Sequence, residues 1–279
     1  MKKRTHYVCN DIENYNSIVS SMATTVKKNP NLRKPLLNGL SASMQLRYKE
    51  YNDKFDASNL IRVTDCNRGD TESAALIYLY EGNSKIVSTL KNAIKSIQEE
   101  HLKQICPSCG LLPANTVDHY IPKELYPDFS IFSKNLIWTC GTCNGKKSQY
   151  WKEPTYRGVI NFYIDDIPSF NFIGCDITSN NGILKATYSL KNYKLTNHPN
   201  IVMHFDRLKI FDIYKDHIPT KLGEIIADLR SYKGKIDKKK VKNILLTQYF
   251  QRRKDFGVND WKAGLLREII TGRHYLQYI

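Results

Sequence analysis

Apolar and polar residues alternate along this chain at helical spacing in most places and at strand spacing in a few. In SASMQLRYKEYNDKF (41–55), Met44, Leu46, Tyr48 and Tyr51 supply the apolar members of a helix. The preceding KKNPNLRKP (27–35) holds two prolines and reads as a loop. TDCNRGDTES (64–73) is also loop-like, and Asp70 or Thr71 at its end can cap a helix through ESAALIYLYE. NSKIVSTLKNAIKSIQEEHLKQIC gives the cleanest helix, with Ile86, Leu90, Ile94, Ile97 and Ile105 forming one stripe and Asn83 or Ser84 capping its start. It leads straight to Cys106, and His101 near its end suits the helix dipole better than a ligand role.

Beyond residue 155 the period changes. NFIGCDITSNNGILKATYSL has two β-like runs around Asn180-Asn181-Gly182, a hairpin signal. HFDRLKIFDIYKDH (204–217) returns to helical spacing with Phe205, Leu208, Phe211 and Ile213 near one face, and KLGEIIADLR continues it. SYKGKIDKKKVKNILLTQYFQRRK is basic at both ends and offers Ile244, Leu245, Tyr249 and Phe250 for burial. The pattern predicts an α+β protein in three regions: a helical 1–82 suited to packing or partner contact, a central 83–155, and an α+β region over 156–279.

Composition narrows the class. With 279 residues, 41% of them apolar, the chain can bury a core. No apolar run approaches the ~20 residues of a membrane span, and MKKRTHYVCNDIENY lacks the apolar stretch of a secretory signal, so a cytoplasmic location with no membrane partner is expected. Lys+Arg outnumber Asp+Glu by 42 to 27, a formal charge of +15 that attracts polyanions, nucleic acid above all. A Lys-rich proteome would produce part of that excess by itself.

The seven cysteines do not read as a secreted disulfide framework. Four form two Cys-X-X-Cys turns, Cys106/Cys109 and Cys140/Cys143, which suit a structural, tetrahedral Zn²⁺; Cys9, Cys66 and Cys175 are scattered. Gly110 and Gly141 relax the backbone at the two turns. Thirty residues separate Cys109 from Cys140, more than the ~15–20 of an ordinary zinc ribbon, and DHYIPK (118–123) lies among them.

The stretch CPSCGLLPANTVDHYIPKELYPDFSIFSKNLIWTCGTCNGKKSQ, about 106–150, resembles the HNH, or ββα-metal, endonucleases. The shared pattern is C-X-X-C, an Asp-His pair with proline three residues on, Asn-Leu, then C-X-X-C followed by His or Asn and a Lys. The variant is similar to bacterial HNH proteins of defence systems and mobile elements. It implies a ββα-metal core, stapled by a structural zinc on the four cysteines and embedded between the flanking regions. Strand TVDHYIP breaks at Pro122, NLIWTC is the second strand, and a helix runs from Cys143-Asn144 through KKSQYW.

Phosphodiester hydrolysis needs an activated water, neutralisation of phosphate charge and help for the leaving oxygen. His119 suits the general base, while Asp118 and Asn144 offer hard oxygen ligands to Mg²⁺ or Mn²⁺. Asp118 and His119 point to opposite faces of a regular strand, so a bulge or strand end is expected there. The resemblance implies the same roles, with Asn135 bracing the loop of the catalytic His and Lys147, one turn past Asn144, bringing a cation near the phosphate. Asn144 stands where many members have His, and a neutral amide binds metal more weakly than a carboxylate.

Taken singly, each of these residues has an ordinary structural reading: turn former, surface histidine, solvated lysine. Taken together they predict an endonuclease acting on DNA, an effector of anti-phage or restriction-type defence. A regulatory partner such as an ATPase or sensor, or oligomerisation, would gate it. The alternative is a weak zinc-stabilised nucleic-acid-binding or regulatory subunit. Residues 230–254 read equally as a phosphate-tracking tail and as a solvated basic helix.

Overall fold

The computed structural model describes residues 1–82, 84–181, 183–191 and 193–279. Asn83, a candidate cap, and Gly182, the last residue of the predicted turn, lie outside them. The chain divides into two compact units, one of Lys3–Gln104 and Pro113–Asp165, the other of Met1–Lys2, Ile105–Leu112 and Asp166–Ile279. Helices and small sheets mix in an α+β fold, and no helix among the described residues is long and apolar enough to cross a membrane.

The first unit begins with α1 (Asp11–Ser21), whose cap Asn10 accepts a hydrogen bond from the Glu13 N–H. A minimal hairpin follows, β1 (Thr25–Val26) and β2 (Asn29–Pro30). Then come α2 (Arg33–Asp56), α3 (Asp70–Glu81), α4 (Lys85–Ser96) and the single turn α5 (Glu100–Lys103). Helix α2 starts inside the predicted loop. Pro35 falls in its first turn, where the N–H that proline lacks has no helical acceptor anyway. Leu37, Leu40, Met44, Tyr48, Tyr51 and Phe55 form its buried stripe. Leu46 is 69% exposed, because two residues past Met44 is the opposite side of a helix.

Neither Asp70 nor Thr71 caps α3: Gly69 occupies the cap position and no side chain bonds there. Ser84 does cap α4, accepting from the Val87 N–H. That helix stops at Ser96, so Ile97 is exposed and Ile105 lies beyond the next turn; its buried stripe is Val87, Leu90 and Ile94. Leu90 and Ile94 pack with Val117 and Leu136 in one cluster, flanked by Tyr7, Cys9, Tyr80 and Trp138. Burying each such aliphatic side chain contributes about 1.5–3 kcal/mol. His101 pairs with Glu99 at 3.4 Å.

Strands β3 (Thr116–His119) and β4 (Leu136–Thr139) pair antiparallel, with Asp118 opposite Ile137 and His119 opposite Leu136. Helix α6 (Gly141–Lys147) follows at once. It begins two residues before the predicted Cys143 and ends well short of Trp151, because Ser148 takes a left-handed φ of 50° that stops the helix.

In the second unit β5 (Ile173–Asn180) and β6 (Ile183–Leu190) form the predicted hairpin, Asn180 opposite Ile183 and Asn181 left-handed at φ 49°. Helices α7 (Pro199–Arg207), α8 (Ile210–Ser231), α9 (Lys238–Phe256) and α10 (Trp261–Thr271) complete it. The expected continuous helix over 204–217 is two, broken at Lys209, whose φ is 50°. Along α9, Val241 and Leu245 are buried while Phe250 is 62% exposed, contrary to its expected burial.

Candidate metal centre and active-site cavity

Each Cys-X-X-Cys turn is shaped by its own backbone. At the first, the Gly110 N–H donates to the Cys106 carbonyl at 2.8 Å and the Leu112 N–H reaches Cys109 Sγ at 3.4 Å. Gly110 has φ +65°, the conformation that glycine tolerates best. At the second, Cys140 is the N-cap of α6 and its Sγ accepts from the Cys143 N–H at 3.3 Å. Gly141 is simply the first residue of α6; no left-handed φ is needed there.

All four cysteines are buried, and their sulfur atoms lie within 4.8 Å of one another. Tetrahedral Zn–S bonds of about 2.3 Å would set sulfurs about 3.8 Å apart, so the donor set fits zinc in both chemistry and spacing. N–H groups directed at sulfur suit thiolates, which need such donors to spread their charge.

Three side chains missing from the sequence expectations seat the first turn within the second unit. His204 Nε2 lies 3.2 Å from the Ser108 carbonyl, Tyr214 donates to the Cys109 carbonyl at 2.8 Å, and Trp261 Nε1 donates to the Gly110 carbonyl at 2.9 Å. Burial pushes the His204 pKa down to about 4.

The hairpin and α6 of the first unit border a cavity of about 370 Å³. Asp118, His119 and Asn144 line it, with Tyr80, Lys123 and Glu124. His119 is the last residue of β3. Its Nε2 lies 2.8 Å from the Ser130 carbonyl, and Tyr80 packs edge-on against its ring at 4.4 Å. A carbonyl can only accept, so Nε2 carries the proton and Nδ1 keeps the lone pair. Burial, only partly opposed by the Ser130 bond, pushes the His119 pKa down to about 4 and holds the ring neutral.

Asn135 and Lys147 are not among the residues lining the cavity. Asn135 is fully buried, and its side chain ties the chain after β3 to the loop before β4. Its Oδ1 accepts from the Ile121 N–H at 2.8 Å and the Tyr51 hydroxyl at 3.2 Å, while Nδ2 donates to the carbonyls of Ile121 (2.9 Å) and Phe129 (3.1 Å). Lys147 is 4% exposed, and its Nζ donates to Asp118 Oδ1 at 3.0 Å and the His119 carbonyl at 2.7 Å. A carboxylate presents about four lone-pair directions, so this bond leaves the group with capacity to accept more.

Nothing in the sequence pattern pointed to the network behind Ser130. Asp128 is 1% exposed; Arg47 Nε donates to its Oδ2 and Arg68 Nε to its Oδ1, each at 2.9 Å. Ser130 Oγ donates to the Leu76 carbonyl at 2.7 Å. Through these bonds α2, α3 and the segment between them hold the turn whose carbonyl orients His119. Lys123 and Glu124 directly follow Pro122 of DHYIP, the clue that would have placed them in the cavity. Lys123 pairs with both Glu124 (2.7 Å) and Glu81 (3.0 Å). Burial is the strongest influence on the Glu124 carboxyl and raises it, but the Lys123 bond, a backbone N–H and the Lys123 charge together outweigh it, and the group lies below the usual range.

No family model matches the chain, and no solved structure matches it. Two known proteins are similar in part. Protein ea31 of Escherichia phage lambda is 24% identical over 184 residues, 64% of this chain and 62% of that protein. Septu protein PtuB of Bacillus thuringiensis is 34% identical over 58 residues, 20% of this chain and 23% of that protein. The chain thus matches under two thirds of the length of the first and under a quarter of the second.

Proposed function

We propose that the protein is a metal-dependent endonuclease of HNH type that hydrolyses phosphodiester bonds in DNA. The observation that carries this reading is the neutral imidazole of His119, fixed by the Ser130 carbonyl in one cavity with Asp118 and Asn144. In this reading Nδ1 of His119 takes a proton from the attacking water, and the anionic phosphate raises the basicity that burial lowers. Asp118 and Asn144 are the oxygen donors for Mg²⁺ or Mn²⁺, which supplies Lewis-acid stabilisation of the phosphate and the leaving oxygen when bound. Asn135 and Lys147 support these groups from behind, Lys147 by holding the Asp118 carboxylate and the His119 carbonyl together. The four cysteines hold a structural zinc.

The partial similarity to a Septu protein, a defence-system component, supports an anti-phage role. A cytoplasmic nuclease endangers its own cell, so a partner such as an ATPase or sensor gates it. Constitutive loss of host DNA at ordinary expression levels would rule gating out.

The deciding experiment incubates supercoiled plasmid with the protein and Mg²⁺ or Mn²⁺, with and without chelator. Cleavage that needs the metal and disappears in His119→Ala, with zinc retained, is expected. Binding without cleavage, unchanged by His119→Ala, would leave a zinc-stabilised nucleic-acid-binding subunit instead.

A further inference from the structure

The second unit carries a slot along the edge of its hairpin. Among the described residues β6 pairs with β5 alone, leaving the other edge of an eight-residue strand without a strand partner. A cavity of about 350 Å³ runs beside it, bordered by Leu184 through Tyr188 on one side and by α8 on the other. Successive strand residues point to opposite faces, so a cavity touching five in a row follows the strand's edge rather than covering one face.

Its far wall is Phe211, Tyr214 and Leu222 of α8, with Tyr188 edge-on to Tyr214 at 5.1 Å. Pro219 also borders it, and having no N–H it cannot serve the Lys215 carbonyl as a helical residue would. Lys185 and Lys215 border the slot against one acid, Asp212. An open strand edge facing a helix across an apolar groove is the geometry that accepts an added strand: the backbone ladder gives affinity, and pockets for alternate side chains give selectivity. The excess of ammonium groups selects a carboxylate.

We propose that this slot takes an extended segment of a protein partner, added edge-on to β6. The segment carries aliphatic side chains at alternate positions, against the Phe211, Tyr214 and Leu222 wall, and at least one acidic residue near Lys185 and Lys215.

The test selects binders to the full chain from a random seven-residue peptide library and measures amide exchange in their presence. The expected peptides alternate aliphatic residues with at least one Asp or Glu, and slow exchange of β6 amides about tenfold or more. Charge reversal at Lys185 and Lys215 together should weaken them by at least about tenfold with the thermal midpoint unchanged. No selected binder, binders with helical spacing, or binders that protect no β6 amide would each overturn the proposal. So would equal affinity for the charge-reversed variant.

Discussion

His119 Nε2 and the Ser130 carbonyl oxygen stand 2.8 Å apart, and that single bond decides which nitrogen of the imidazole carries the proton. The carbonyl is held two residues upstream by Asp128, which both Arg47 and Arg68 grip. Asp128→Ala would leave two guanidinium groups, each only 15% exposed, without their shared anion. Arg47 keeps Glu50 and Arg68 keeps Glu72, so the cost lies at or below the low end of the about 3–5 kcal/mol for stripping a buried charge of its partner, and the turn bearing Ser130 loosens with it. A lower urea midpoint is expected, with kcat for the proposed plasmid cleavage falling more than KM rises. An unchanged midpoint would show that the buried pair contributes nothing net.

Asn135 makes four side-chain hydrogen bonds in a site closed to water. Asn135→Ala strips partners from the Ile121 N–H and from two carbonyls, at a cost of about 2–4 kcal/mol. Asn135→Asp keeps the acceptor and loses both donations, so it should do nearly as much harm. Denaturant unfolding of the two variants checks this, with zinc content as the control for the cysteine site. If either variant unfolds like the parent protein, the clamp is not supporting the loop.

The sequence exposed the local features of the site and hid the distant ones. Cys-X-X-Cys turns and the Asp-His pair are short-range patterns, and the four cysteines do gather. Cavity neighbours Lys123 and Glu124 were legible as the residues next to Pro122. Arg47 and Arg68 were not, because a buried ion pair joining residues 81 apart in the chain leaves no periodic trace. The hairpin of β5 and β6 followed from its turn residues, whereas helix limits failed where one backbone angle decided them, at Lys209 and Ser148.

Zinc removal gives a third prediction. Purified protein should contain one zinc per chain by elemental analysis. A strong chelator, or Cys140→Ser, should lower the thermal midpoint and abolish cleavage together, because binding free energy at a structural site is folding free energy. Retention of the parent midpoint in metal-free protein would remove zinc from the account.

Lys147 offers a sharper probe of the cavity. Its ammonium is almost wholly buried against Asp118. Lys147→Met keeps much of the side-chain volume and takes the ammonium away from the Asp118 carboxylate, costing up to about 3–5 kcal/mol in stability. Added Mg²⁺ should restore part of that loss if Asp118 is a ligand, since a cation binding only the folded state stabilises it by mass action. Thermal melts of the variant across a Mg²⁺ series, beside Asp118→Asn as the control, measure this. Equal melting at every concentration would separate Asp118 from the proposed catalytic metal.

The basic run at the start of α9 tests the proposed DNA binding. Lys238, Lys239 and Lys240 are exposed on its first turn, and among the described residues only the Lys240 ammonium forms an ion pair there, with Asp237 at 3.6 Å. Each phosphate neutralised on duplex DNA adds about 0.9 to the slope of log affinity against log salt. If these lysines track the backbone, reversing all three to Glu should weaken binding severalfold at low salt and flatten the slope by about 2–3. Fluorescence anisotropy with a short duplex at several salt concentrations gives both quantities. The substitutions also place negative charge at a helix N-terminus, which favours the helix, so lost affinity would not reflect lost structure. A binding curve and slope identical to those of the parent would assign the run to solvation alone.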